Sequence, residues 1–337
     1  MIQYDQVKLL HIEFSTICNA RCPLCPRNLY GFPFNGGYEE TNLSLELVKN
    51  KLDKSFIQNL DKVLVNGNFG DFTANLESIE ILKYFRSVNQ NILISVSTNG
   101  SARNRIFWEE LAAFDIHVMF CLDGLKDTHH LYRQDTDWDT IISNAGYFIA
   151  AGGRATWKMI KFAHNEHQIT QCNELSKQLK FSDFQLIDYA RDTGPVFNRR
   201  GKLIHSIGDP TKELNSIKNI TQAKISLLGN HWENEIYDPS TQLNCESNDK
   251  KMIYISADGK VYPCCYLGFS PDTYTSGIFK FVNKQVKNLT TQNSLHENDL
   301  ATCLNWFNKI EESWSKTNYN EGRMLQCDKI CGKCKAR

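Results

Sequence analysis

Two rhythms of apolar residues alternate between residues 9 and 189. Short apolar runs with β-branched or alternating character begin at Leu9 (LLHIEFS), Lys62 (KVLVNGN), Asn91 (NILISVSTNG), Ile116 (IHVMFCLDG), Arg154 (RATWKMIKF) and Asp183 (DFQLIDY). Their length and pattern predict strands. Between them lie SLELVKNKLDKSFIQNL from Ser44, NLESIEILKYFRSV from Asn75, RIFWEELAAF from Arg105, DTIISNAGYFIAAGG from Asp139 and HQITQCNELSKQLK from His167. Apolar residues three and four apart predict amphipathic helices there, the first capped by Ser44. Six strands with a helix between each and the next assemble most naturally as a parallel sheet with right-handed crossovers. Eight such units close a barrel, so six predict an α/β fold of the partial (β/α)6 kind. Chemistry in such folds gathers where strands end. A cysteine-rich loop and the turns NGNFGD, STNG and CLDG all fall at predicted strand ends.

The rest of the chain has a different texture. Residues 190–244 are rich in turn formers and carry three arginines early on, which suits a linker or a substrate-covering segment. KMIYISADGKVYPCCYL then predicts a β-hairpin turning at Asp258-Gly259. DLATCLNWFNKIEESW predicts a helix, and the chain ends CDKICGKCKAR. The expected organisation is a barrel over 1–189, a covering segment over 190–244 and a small α+β unit over 245–337.

Charge narrows the function. Basic and acidic side chains balance at 38 each, which gives no argument for a nucleic-acid groove or an anionic membrane surface. The N-terminus lacks the apolar run of a signal peptide, and no stretch is long and apolar enough to span a bilayer, so a cytoplasmic protein is expected. In that reducing compartment the 12 cysteines are expected as thiols or metal ligands.

Three of them, Cys18, Cys22 and Cys25, form a CxxxCxxC run, and Pro23 and Pro26 keep it extended. Structural zinc wants a fourth ligand, for which His11 is the only close imidazole. Three thiolates on a four-iron cube leave one iron open. This motif after a first barrel strand resembles the signature of the radical S-adenosylmethionine (SAM) superfamily. The resemblance implies a 4Fe–4S cluster on Cys18, Cys22 and Cys25 whose open iron chelates SAM. The reduced cluster then cleaves SAM to a 5′-deoxyadenosyl radical that takes a hydrogen atom from substrate. The family often has an aromatic residue before the third cysteine, beside adenine; here it is Leu24. NGNFGD resembles the family's GGE-type turn, which implies SAM contacts from Asn68, Gly70 and Asp71. Ser97 and Asn99 in STNG stand where ribose or the SAM carboxylate would be reached. Asp123 and Arg133 resemble the family's S-x-DG…R region, with Arg133 facing the SAM carboxylate. His164 and His167, in HNEHQI, read as loop residues capping a helix.

A second cysteine set follows. The C-x13-G-x4-C spacing of Cys245, Gly259 and Cys264 resembles the opening of SPASM and twitch auxiliary-cluster domains. It implies a second 4Fe–4S cluster, completed by two of Cys327, Cys331 and Cys334, with Cys265 a bystander. A four-thiolate zinc site is the alternative. The function expected is hydrogen abstraction from a small-molecule substrate, leading to oxidation or rearrangement, with flavodoxin or ferredoxin as electron donor. Peptide modification is the rival; the 17 residues before Cys18 are too few for a peptide-recognition domain. A non-catalytic iron–sulfur or zinc protein is the alternative of another class, and SAM cleavage would separate it from either enzyme.

Overall fold

The computed structural model of the chain describes residues 2–33, 38–188, 194–207, 242–268 and 277–332. Six strands fall inside the six predicted runs: β1 (Leu9–Ile12), β4 (Lys62–Val65), β5 (Leu93–Thr98), β6 (Ile116–Cys121), β7 (Arg154–Ile160) and β8 (Asp183–Ile187). Two short ladders interrupt the count, β2 (Asn28–Leu29) with β3 (Phe32–Pro33) and β9 (Gly194–Phe197) with β10 (Leu203–Ile207). The six main strands pair in sequence order, all parallel. The fold is the α/β partial barrel that the alternating pattern predicts.

Each strand carries two faces because side chains alternate. Val63 and Val65, Ile94 and Val96, Val118 and Phe120, and Trp157 and Met159 all enter the main apolar core, with helix residues such as Phe85, Trp108 and Phe148. The opposite face holds His11, Glu13, Ser95 and Thr156, all buried and all polar. The sheet is therefore apolar toward its helices and polar on its other face.

Two predicted helices are broken. The segment from Ser44 forms Leu45–Lys51 and Lys54–Asn59. Ser44 accepts from the Leu47 amide at 3.1 Å as expected. Asp53 then accepts from the Phe56 amide at 2.8 Å and caps a second start. The predicted helix near Cys303 likewise divides into Leu300–Leu304 and Phe307–Ser313.

The C-terminal hairpin is stitched to the barrel. Its strands are β11 (Met252–Ile255) and β12 (Val261–Tyr262), with Gly259 at φ +75° in the turn. β11 pairs parallel with β1, from Leu9–Met252 to Ile12–Ile255, so one eight-stranded sheet runs β12-β11-β1-β4-β5-β6-β7-β8. Helix Leu325–Cys331 follows, its approach fixed by a buried Arg323–Asp328 pair at 2.7 and 2.9 Å. Of the covering segment 190–244, only 194–207 and 242–244 are described; the remainder lies outside the described residues. Ladder β9/β10 sits on the barrel rim, where Val196 and Ile207 pack with Ala20, Cys22, Tyr132, Ile160 and Phe162. Among the described residues no helix is long and apolar enough to cross a membrane.

Candidate functional site

The loop after β1 is extended and held from several sides. The Cys25 amide turns back to the Cys22 carbonyl at 3.0 Å, and the Arg21 amide bonds the Gln134 carbonyl at 2.9 Å. Arg27 donates to the Cys18 carbonyl at 2.8 Å. Cys22 is buried, and Cys18, Leu24 and Cys25 pack against the same small apolar cluster. Donors approach the sulfurs from separate elements. The Ala20 amide lies 3.4 Å from Cys18 Sγ, Asn99 Nδ2 lies 3.5 Å from it, and Arg133 Nη1 lies 3.7 Å from Cys22 Sγ. Burial pushes all three thiols up, Cys25 to about 11. Thiolates in that setting need a cation beside them, and binding iron displaces their protons. The donor set fits an iron–sulfur cluster.

Arg133 and Asp123, ten residues apart in sequence, form one buried unit. Arg133 Nε donates to Asp123 Oδ2 at 2.6 Å, and the Ile160 amide donates to Oδ1 at 2.6 Å. The pair bridges the ends of β6 and β7 and aims the guanidinium at Cys22. Asn99, after β5, donates to both Cys18 and Asn19 (3.0 Å). Ser97 is half-buried on β5, one residue from Thr98. Asp71 is in a different situation. Oδ1 accepts from the Thr73 amide and hydroxyl (3.0 and 2.7 Å), Oδ2 accepts from the Asn99 amide (2.7 Å), and Thr98 Oγ1 reaches both oxygens. Its carboxylate joins the rims of β4 and β5. Asn68 Nδ2 donates to the Cys265 carbonyl at 2.9 Å.

Close approach explains the glycine at position 70. The Asp71 amide bonds the Ile17 carbonyl at 2.9 Å, and a Cβ on Gly70 would stand 1.8 Å from the Ser15 carbonyl oxygen. Backbone cannot give way as a flexible side chain can. Gly70→Ala is expected to cost about 1–3 kcal/mol, read as a lower denaturation midpoint.

The strand pattern around Leu9 hides another participant, Glu13. It is fully buried, and Oε1 accepts from the Phe69 and Gly70 amides at 2.7 and 3.2 Å. Oε2 accepts from the Tyr254 hydroxyl of β11 at 3.0 Å. Burial pushes this carboxyl up to about 7. Its signal was a lone acidic residue at an inward position of an apolar strand.

The second cysteines line one cavity of about 510 Å³, counted out to its open mouth. Cys264 and Cys265 enter from the hairpin, Cys245 from the segment before it, and Cys327 and Cys331 from one face of helix Leu325–Cys331. The neighbouring Cys331 thiol lowers Cys245 below the ordinary thiol value. Among the described residues no three His, Cys, Asp or Glu side chains converge tightly enough for a single ion. Cys334 lies outside the described residues.

Residues 12–167 match the Radical SAM superfamily. The barrel half of this chain is a radical SAM domain. A curated relative, the cysteine-type anaerobic sulfatase-maturating enzyme of Clostridium novyi (strain NT), is 22% identical over 328 residues, covering 87% of this chain and 83% of that protein. Among solved structures, SuiB of Streptococcus suis is similar with a TM-score of 0.57 at 17% identity, over 95% of this chain and 72% of that one. The structure of anSMEcpe with bound AdoMet and Cp18Cys peptide is similar with a TM-score of 0.52 at 16% identity, over 95% of this chain and 90% of that one. These likenesses carry the fold across the C-terminal half as well. A radical SAM domain implies SAM and a 4Fe–4S cluster as cofactors.

Proposed function

We propose that Cys18, Cys22 and Cys25 hold the SAM-binding cluster and that the enzyme modifies a peptide or protein by removing a hydrogen atom from carbon. The observation carrying the first part is convergence on the three thiols. Asn99 from the β5 rim reaches Cys18, and Arg133, braced by Asp123 from the β6 rim, reaches Cys22. The substrate class is supported by similarity to a sulfatase-maturating enzyme over most of the chain, and by a peptide-bound structure of like fold. Of the two substrate classes open in the sequence, this favours the peptide.

We further propose that Cys245, Cys264, Cys327 and Cys331 hold a second 4Fe–4S cluster in the unit over 245–337. When bound, the first cluster with SAM would supply the means of removing a hydrogen atom from carbon, and the second cluster would supply a one-electron acceptor.

The chain's own residues set the conditions. Asn99 and Arg133 offer donors to sulfur, which eases addition of the electron that flavodoxin or ferredoxin would deliver. Ala20, Tyr132, Ile160, Phe162 and Val196 make an apolar wall beside Cys22 that keeps water from a reactive radical. Glu13 and Asp71 fix the 67–71 turn against β1 and β5, which leaves its backbone facing the cysteine loop as a rigid SAM-binding edge. Asn68 and Tyr254 tie that turn to the hairpin bearing Cys264.

Anaerobically reconstituted protein given dithionite, SAM and the Cp18Cys peptide tests this reading. Release of 5′-deoxyadenosine together with a mass change in the peptide is expected. Release of 5′-deoxyadenosine with every cysteine-bearing peptide unchanged, and with a small polyhydroxylated substrate oxidised instead, would restore the small-molecule reading.

A further inference from the structure

The HNEHQI segment has no part in the site described so far. It follows β7 on the rim where the cysteine loop also sits. His164 lies flat on Phe162, with ring centroids 5.2 Å apart and planes 11° apart. Phe162 meets Tyr132 at 4.5 Å and shares the apolar cluster of Cys22. The wall beside the cysteine loop therefore runs unbroken to this imidazole. The turn that bears it is rigid. Asn165 accepts from the Phe162 amide at 2.7 Å and donates to the Ile160 carbonyl at 3.0 Å and the Asp123 carbonyl at 3.3 Å. Asp123 thus anchors both Arg133 and the His164 turn.

Both ring nitrogens of His164 are sealed from solvent, and neither has a hydrogen-bond partner among the described residues. Buried polar atoms left unpaired are costly and uncommon in folded proteins. A rigid turn that holds such a ring is a binding feature awaiting its partner. The ring is neutral, since burial and then His205 hold it down at about 4. A neutral imidazole has one N–H donor and one bare nitrogen acceptor. The nearby charges are committed: Asp123 to Arg133 and the Ile160 amide, and His205 to the Leu131 carbonyl at 2.9 Å. Among the described residues the other titratable neighbours of His164 are the exposed imidazoles of His130 and His167, so no arginine or lysine stands by to pair a carboxylate or phosphate. An uncharged group that both gives and takes a hydrogen bond fits, and a peptide amide is such a group.

We propose that His164 is a substrate-binding residue that receives an amide of the peptide substrate at the wall beside the cysteine loop. This rests on the peptide reading above and adds a subsite to it.

The test is binding of fluorescently labelled Cp18Cys peptide to the full, reconstituted chain in the presence of SAM. His164→Phe keeps the flat ring and removes both nitrogens; His164→Asn restores a donor and an acceptor. The phenylalanine variant is expected to bind the peptide about tenfold more weakly or worse, and the asparagine variant to recover most of the loss. SAM affinity is expected to stay at the wild-type value in both. The melting temperature of the phenylalanine variant is expected at or above wild type, because an unpaired pair of buried nitrogens is gone. Equal peptide binding by wild type and His164→Phe overturns the subsite while leaving the peptide reading intact. A wild type that binds no peptide overturns the peptide reading and the amide assignment together. A lowered melting temperature, or SAM affinity falling in step with peptide affinity, marks His164 as structural and overturns the proposal.

Discussion

Replacing Cys22 with alanine is expected to bring 5′-deoxyadenosine formation to background, a fall of about three orders of magnitude or more. Two thiols cannot hold a cube that three hold with one corner open, so iron and sulfide should fall with activity. Cys22 is the most informative of the three because it is buried against Arg133 at 3.7 Å. Its loss removes a ligand and leaves that guanidinium facing a small void. Cys327→Ala is the companion variant. It sits in the second cavity, so it should lower iron by about one cluster's worth while SAM cleavage persists. Iron analysis and chromatography of the nucleoside products check both. Equal iron loss and equal loss of cleavage in the two variants would mean that the two cysteine sets do not act separately.

Arg133→Met is expected to be the most destabilising substitution on the rim. Asp123 is fully buried and ion-paired with Arg133, whose own side chain is 14% exposed. Breaking a buried pair from one side strands the other charge and typically costs about 3–5 kcal/mol. The variant should unfold at a clearly lower denaturant concentration. Asp123→Asn added to Arg133→Met should return part of that stability, because the stranded charge is gone. The double variant should still cleave SAM poorly, since nothing restores the donor at Cys22. If the two single variants and the double variant lose stability additively, the pair is not a coupled unit.

Much of this was legible from the chain alone because it depends on local pattern. Strand and helix periodicity gave six units in the right order, and CxxxCxxC marked the loop on which Asn99 and Arg133 converge. What escaped notice depends on distant pairing. Nothing near Leu9 announces that β11, over two hundred residues later, lies parallel beside it. Glu13 therefore looked like one polar residue in a strand, although it joins Tyr254 to the 67–71 turn. Asn68 belonged to a turn whose motif pointed to SAM, yet its side chain reaches Cys265. Asp71 could be singled out as an acceptor, but beyond the local donors of Thr73 it is held by Thr98 and Asn99, which reach it only once β4 and β5 are adjacent. His164 reads as a loop residue in the sequence because burial of its nitrogens is a property of the wall around it. The split of the helix after Ser44 was readable in hindsight, since Asp53 and Ser55 are cap-forming residues inside a helical rhythm.

The central claim is that the three-thiol loop after β1 holds a cluster whose remaining iron takes SAM directly. Electron–nuclear double resonance on the reduced, reconstituted protein mixed with SAM carrying 15N at its amino nitrogen reads that contact. A hyperfine coupling from the label to the cluster is expected, present in the Cys327→Ala variant and absent in the Cys22→Ala variant. A reduced cluster that binds SAM nearby with no such coupling, its fourth iron held by a protein side chain, would contradict it.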